Sequence, residues 1–307
     1  MESSADSRKI WNIWSIPTAK QFLVRLENLI RDRILGAAKE FAIGRLRSFI
    51  ENDTHVRYEI IGRENIDSIR ELLAREKIVI AVLDHRSYAD MATGMFVVVR
   101  EKFEDLIRPA HPIMKISHVQ RFPGSLLRNY FEGIIPVVPH TMSESDYPNR
   151  NEINRQAIKT AQNLPGGSLL VITPEGTRSG RVAMQEARHG AEKFWHGLEG
   201  EAGERYIIPI AIEGTENQWR KGSLSGLNYA IWGHYRNSKF IFGGPVAVSE
   251  IDSMASQLAQ TPEELAKLKT DVVMAQIARL HIEYGNPRYA GVYTDLARQI
   301  QELKSAA

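Results

Sequence analysis

"KIVIAVLDHRSYADM", residues 77–91, decides the fold. From Ile78 to Leu83 the chain is apolar without a break, and the run has the length of a strand. It lacks the alternation of a half-solvated strand, so it reads as a strand buried on both faces. A polar loop follows, and a helix is expected from about Asp90 to Lys102. A strand buried on both faces needs cover on both faces, and helices connecting parallel strands supply it.

Working outward from this unit, the same rhythm recurs. Upstream, "VRYEIIG" (56–62) alternates like a strand and "ENIDSIRELLARE" (64–76) has helical spacing. Downstream come the short apolar segment "HPIMKI" (111–116), a helix around "SLLRNYF" (125–131) and the strand "GIIPVV" (133–138). After a polar loop, the helix "INRQAIKTAQNL" (153–164) stops at Pro165-Gly166-Gly167, a helix-breaking sequence. Further strands are "SLLVIT" (168–173), "YIIPIAI" (206–212) and "KFIFGG" (239–244), and helices are expected from about Pro262 to Glu283 and again near 293–304. The fold class is therefore α/β, a mostly parallel sheet flanked by helices, with an N-terminal amphipathic helical segment. The expected organisation is a segment 1–53 followed by an α/β domain 54–307 with C-terminal helices.

Composition narrows the function classes. The 307 residues are 43% hydrophobic and 25% charged, as in an ordinary globular chain, and include no cysteine. Disulfides, thiolate metal sites and a cysteine nucleophile are excluded, and the composition suits a reducing cytoplasm. The net charge of +2 gives no basis for nucleic-acid binding. The charge is uneven: residues 1–50 hold nine Lys/Arg against five Asp/Glu, which is +4 and leaves −2 for the rest. No apolar run approaches the roughly 20 residues of a transmembrane helix, and the N-terminus has no signal-peptide pattern. The expected location is cytoplasmic, peripherally associated with a membrane.

The basic excess coincides with helical apolar spacing from Phe22 to Ile50, preceded by Trp11 and Trp14. Tryptophan beside a basic amphipathic helix is the pattern of a segment lying in a lipid interface, so residues 10–50 are expected to meet a membrane surface. A helix docked on the core with a solvated basic face would show the same spacing.

In an α/β sheet, functional groups collect at the carboxyl ends of strands. Two polar loops stand there: "DHRSYAD" (84–90) after one buried strand and "PEGTRSG" (174–180) after another, each expected to open onto a helix. His85 is a side chain able to accept a proton near neutral pH, and Asp90 can orient the ring and stabilise the imidazolium. Ser87 is suited to cap the following helix. In the second loop, Gly176 permits close backbone approach, and backbone N–H groups at a helix start would favour an anion. Arg178 offers a planar fork for phosphate, and Glu175 a partner for a hydroxyl. Each loop alone also fits a purely structural turn or cap.

Together, "HRSYAD" and "PEGTRS", with His85 and Glu175 90 residues apart, resemble the first and third signature blocks of the glycerolipid acyltransferase family. That family includes lysophosphatidic acid and glycerol-3-phosphate acyltransferases. "RFPGSLLRNYFEGIIPV" (121–137) and "IIPIAIEGT" (207–215) resemble its second and fourth blocks, and "RHGAEKF" and "FGGPV" are smaller echoes. The likeness runs from about residue 56 to 250. It implies that His85 is the general base on an acceptor hydroxyl and that Asp90 orients it. Acyl-CoA or acyl-carrier protein would be the acyl donor, without an acyl-enzyme intermediate and without a cofactor or metal. It also implies that Glu175, Gly176, Thr177 and Arg178 bind a glycerol-phosphate acceptor, most simply 1-acyl-glycerol-3-phosphate.

Two departures stand out. Family members often carry Asn before the histidine where this chain has Asp84, which would alter the loop's hydrogen bonding or the charge near His85. The second block usually ends in an arginine, but "GIIPVVPH" has none. Either Arg178 with Lys115, Arg121 or Arg128 holds the phosphate, or the acceptor is a different lipid alcohol. A non-catalytic lipid-surface protein is the competing expectation, although such a protein has no need of a base.

Overall fold

Among the described residues of the computed structural model, eight strands follow the apolar runs: β1 (Tyr58–Ile61), β2 (Ile78–Leu83), β3 (Ala110–Lys115), β4 (Ile135–Val137), β5 (Leu169–Ile172), β6 (Arg205–Glu213), β7 (Ser238–Phe242) and β8 (Val246–Ala247). The structure describes residues 57–306 except 86–89, 91–93, 95–96, 99, 121–130, 132, 140–141, 144, 177–182, 189, 197–203 and 216–237. The N-terminal segment with its expected membrane helix, the boundary at 54 and nearly all of the helix expected over 125–131 lie outside the described residues.

One sheet runs in the order β1-β7-β6-β2-β5-β3-β4, with β8 pairing on β6. Pairings β6–β2, β2–β5, β5–β3, β3–β4 and β1–β7 are parallel, while β7 and β8 run antiparallel to β6. The mostly parallel α/β sheet read from the sequence is thus the observed one. β2 sits near its centre and is buried from Ile78 to Val82, as its unbroken apolar run requires.

Helices cover both faces. α1 (Arg63–Ala74) buries Ile66 and Ile69 against one face, beside Val79, Ala81, Ile208 and Phe240. The opposite face carries α4 (Arg150–Gln162), α5 (Val248–Leu258), α6 (Pro262–Tyr284) and α7 (Thr294–Ala306), packed over Ile80, Val82, Leu170 and Ile207. Two short helices, α2 (Glu104–Ile107) and α3 (Ile116–Gln120), flank β3. α6 is buried on almost every side from Thr270 to His281, so it is a core helix and not an amphipathic one. Val272, Val273, Met274, Ile277 and Leu280 are at most 3% exposed, each adding up to roughly 1.5–3 kcal/mol of burial. Its start is fixed by Thr261, which accepts the Glu264 N–H, and by Pro262 in the first turn.

Three differences from the sequence reading have local causes. α4 starts at Arg150, three residues before the expected Ile153, because its first turn is polar and shows no apolar face. α5 was not anticipated, although Ile251, Met254 and Ala255 bury one face at helical spacing. The loop after β5 does not open onto an α-helix among the described residues. Residues 183–188 are irregular, and only the 3₁₀ turn Ala191–Phe194 follows. Among the described residues no helix is long and apolar enough to cross a membrane.

Candidate active site

β6, β2 and β5 are neighbours and mutually parallel, so their carboxyl ends share one edge of the sheet. Asp84 and His85 follow β2, Glu175 and Gly176 follow β5, and Gly214 and Thr215 follow β6. The topology alone therefore assembles the two loops singled out in the sequence, together with a third.

His85 Nδ1 lies 2.8 Å from Asp90 Oδ2, and Asp90 is already helical. The other carboxylate oxygen, Oδ1, accepts the hydroxyl of Thr215, a fully buried residue. Asp90 is thus gripped from two directions and is only 9% exposed, whereas the His85 side chain remains 28% exposed. A buried carboxylate is tolerated only when it is paired in this way. With Nδ1–H donated to Asp90, a neutral ring presents Nε2 as a lone pair, and Asp90 stabilises the imidazolium once a proton arrives. The arrangement can accept a proton from a hydroxyl and return it.

Asp84, the departure noted next to His85, is fully buried and its carboxylate is engaged elsewhere. Oδ1 accepts the Ile212 N–H at 2.8 Å, and Oδ2 lies 3.0 Å from His281 Nε2.

In the second loop, Glu175 is 1% exposed and Gly176 adopts φ +63°, a left-handed conformation natural to glycine. A Cβ there would stand 2.9 Å from Arg188 Cγ, so glycine also lets the Arg188 side chain lie over the loop. Arg188 N–H in turn donates to Pro174 O at 2.8 Å. A groove of about 590 Å³ opens here, lined by Glu175, Met184, Arg188, Gly291 and Val292. Next to these lining residues in the chain, Tyr293 ties the two segments together: its hydroxyl accepts the Ala187 N–H at 2.7 Å and donates to Asp271 at 3.1 Å. Burial pushes the Tyr293 phenol well above its ordinary range, and the Asp271 and Glu175 carboxylates add to this against the Ala187 N–H. The phenol therefore stays protonated.

Lys115 ends β3 and pairs in register with Val137, the last residue of β4. The cation thus stands beside the place where an arginine was missing from the sequence. β3 is two strands from β2, about 10 Å at ordinary strand spacing. Beyond Val137, the Val138 N–H and carbonyl both bond the Asn154 side chain, at 2.8 and 2.9 Å. Thr177, Arg178, Arg121 and Arg128 lie outside the described residues.

The site contains groups that the sequence reading passed over. Thr215 completes the Asp90 contacts, and its signal was visible: "IEGT" (212–215) repeats the "PEGT" (174–177) pattern at the end of a second buried strand. His281 joins Asp84, the residue before His85, to Glu213, and the visible signal was a histidine in the mostly apolar second half of the helix, "VVMAQIARLHIEY".

No curated protein matches the chain. A family model described as Acyltransferase matches residues 57–213, just over half of the chain. The match begins beside β1 and closes on the last residue of β6, so it spans the central strands together with His85, Asp90, Lys115, Glu175 and Gly176. The extent of that match, over the strands that build this edge of the sheet, places the chain in the acyltransferase family.

Proposed function

We propose that the protein transfers a fatty acyl group from acyl-CoA or acyl-carrier protein to a hydroxyl of a glycerophosphate-type lipid, with 1-acyl-glycerol-3-phosphate as the leading acceptor. The observation that carries this reading is the His85–Asp90–Thr215 chain of hydrogen bonds at the carboxyl ends of the central strands of an acyltransferase. His85 Nε2 takes the hydroxyl proton as the oxygen attacks the thioester carbonyl. The tetrahedral intermediate then collapses, the C–S bond breaks, and the proton on His85 passes to the departing thiolate. No acyl group rests on the protein. General-base catalysis of this kind contributes roughly 10²–10⁴-fold, and positioning supplies much of the remainder.

The acceptor headgroup is assigned to the loop Glu175, Gly176, Thr177 and Arg178, with Lys115, Arg121 and Arg128 as further cations for its phosphate. The position of Lys115 beside Val137 supports this, because it offers a charge where the second block lacks one. The second reading, transfer to a lipid alcohol without phosphate, draws on the Val138–Asn154 contacts, which commit that segment to a structural role. Residues 10–50 are proposed to hold the enzyme on an anionic membrane, where such acceptors reside. Removing residues 1–50 should weaken binding to anionic vesicles, and equal binding by the folded truncated chain would remove this part of the proposal.

The decisive assay supplies labelled acyl-CoA or acyl-carrier protein to the full chain with lysophosphatidic acid, glycerol phosphate, other lysolipids and neutral lipid alcohols. Transfer to the phosphate-bearing acceptors is expected. Transfer only to neutral alcohols would favour the second reading, and transfer to none would leave a non-catalytic lipid-binding protein.

A further inference from the structure

The backbone ladder between β2 and β6 ends at the pair Leu83–Ile210. Past that point, side chains take over. Asp84 Oδ1 accepts the Ile212 N–H, and Oδ2 faces His281 Nε2 at 3.0 Å. The second ring nitrogen, Nδ1, lies 2.9 Å from Glu213 Oε1, which also accepts the Asn286 N–H at 2.7 Å. All three side chains are buried: Asp84 and His281 are 0% exposed and Glu213 6%. The His281 ring stacks on Tyr289 with centroids 5.3 Å apart and planes at 26°. The turn that follows α6 approaches so closely that a side chain at Gly285 would collide with the Glu213 carboxylate.

An ionised carboxylate can only accept, and Asp84 and Glu213 each accept a backbone N–H. Both ring nitrogens of His281 meet carboxylate oxygens, a setting that an imidazolium satisfies with a proton on each nitrogen.

We propose that His281 is a positioning residue of the acyl-transfer site, a buried imidazolium that binds the end of β2 to the end of β6 and so sets His85 against Asp90. The inference rests on the reading of His85 as the base. The connection is short: Asp84 precedes His85 at the end of β2, and two residues after Glu213 comes Thr215, which holds Asp90. If the two strand ends shift, His85 and its carboxylate separate. His281 and Thr215 both lie beyond residue 213, where the match to the family model ends.

The test uses the full chain with ¹⁵N-labelled histidine at neutral pH, alongside steady-state acyl transfer. In the wild type, His281 should show two protonated nitrogens and His85 a protonated Nδ1. In H281Q, kcat should fall roughly ten- to a hundredfold with KM nearly unchanged, the size expected when a base is displaced by a fraction of an ångström. The His85 Nδ1 signal should move or broaden in the same variant. The double variant D84N/H281Q removes one of the two carboxylates left without a cation, the one next to His85, and it should regain about tenfold in kcat over H281Q. A neutral His281 in the wild type would overturn the proposal. So would a folded H281Q with unchanged kcat and unchanged His85 signal, or a double variant no better than H281Q. If H281Q does not fold, the wild-type spectrum and the double variant decide. A His85 signal that responds to H281Q in a protein inactive on every acceptor would uphold the coupling to His85 and sink the acyl-transfer reading instead.

Discussion

His85 and His281 both depend on Asp84, one through the chain and the other through a hydrogen bond, yet their surroundings differ in two respects. His85 is partly exposed and meets one carboxylate, which leaves Nε2 turned to the task of accepting a proton. His281 is fully buried and meets two carboxylates, so both nitrogens are donors and the ring has nothing left with which to accept. The same residue type thus serves as a candidate base in one place and as a fixed cation in the other. Burial and the number of carboxylate partners decide which. His196 is an intermediate case: partly exposed, it bonds Asp252 at 2.9 Å on one side and the Glu192 carbonyl at 2.8 Å on the other.

The largest way to break this comparison is to take the fixed cation away. H281L leaves Asp84 and Glu213 buried without a cation, and losing one partner of such a group costs about 3–5 kcal/mol. For a domain of this size that lowers Tm by roughly 10 °C, measured by thermal unfolding. The next effect falls on the partner of the exposed histidine. D90N keeps the volume but removes the charge that favours the imidazolium, and transfer should drop about 100-fold, or ~2.7 kcal/mol, with little change in Tm.

The smallest effect concerns His196 and sharpens the gradation. Burial pulls its pKa down, but the Asp252 carboxylate and the Glu192 carbonyl outweigh burial and raise it above the ordinary value. Burial raises Asp252 in turn, and His196 and Lys269 outweigh that and lower it. A raised histidine stabilises the fold fully below its unfolded value of about 6.5, and that contribution fades as pH rises through the folded value. D252N should therefore cost up to about 1 kcal/mol more below pH 6.5 than it does at pH 8, read from denaturant midpoints at the two pH values.

Much of this was legible in the sequence, and the remainder was not for identifiable reasons. β2 announces itself because a strand buried on both faces must be apolar throughout, and the alternation of such runs with helices fixes the sheet as mostly parallel. His85 and Asp90 are five residues apart, near enough for one loop to bring them together, and the structure does so. Thr215 stands 125 residues from Asp90, and His281 stands 197 from Asp84. No local pattern can express such contacts; they exist only because β6 lies beside β2 and α6 packs against β6. α5 was missed for a different reason, since a short apolar stripe of three buried residues is easily lost among small and polar neighbours.

The central claim is that His85 removes the acceptor's proton. Its most direct test compares acyl transfer from labelled acyl-CoA by H85A and wild type at equal folded concentration. The account predicts a loss of roughly 10³-fold in turnover with the fold intact, the range of a missing general base. Wild-type turnover in a folded H85A would contradict it.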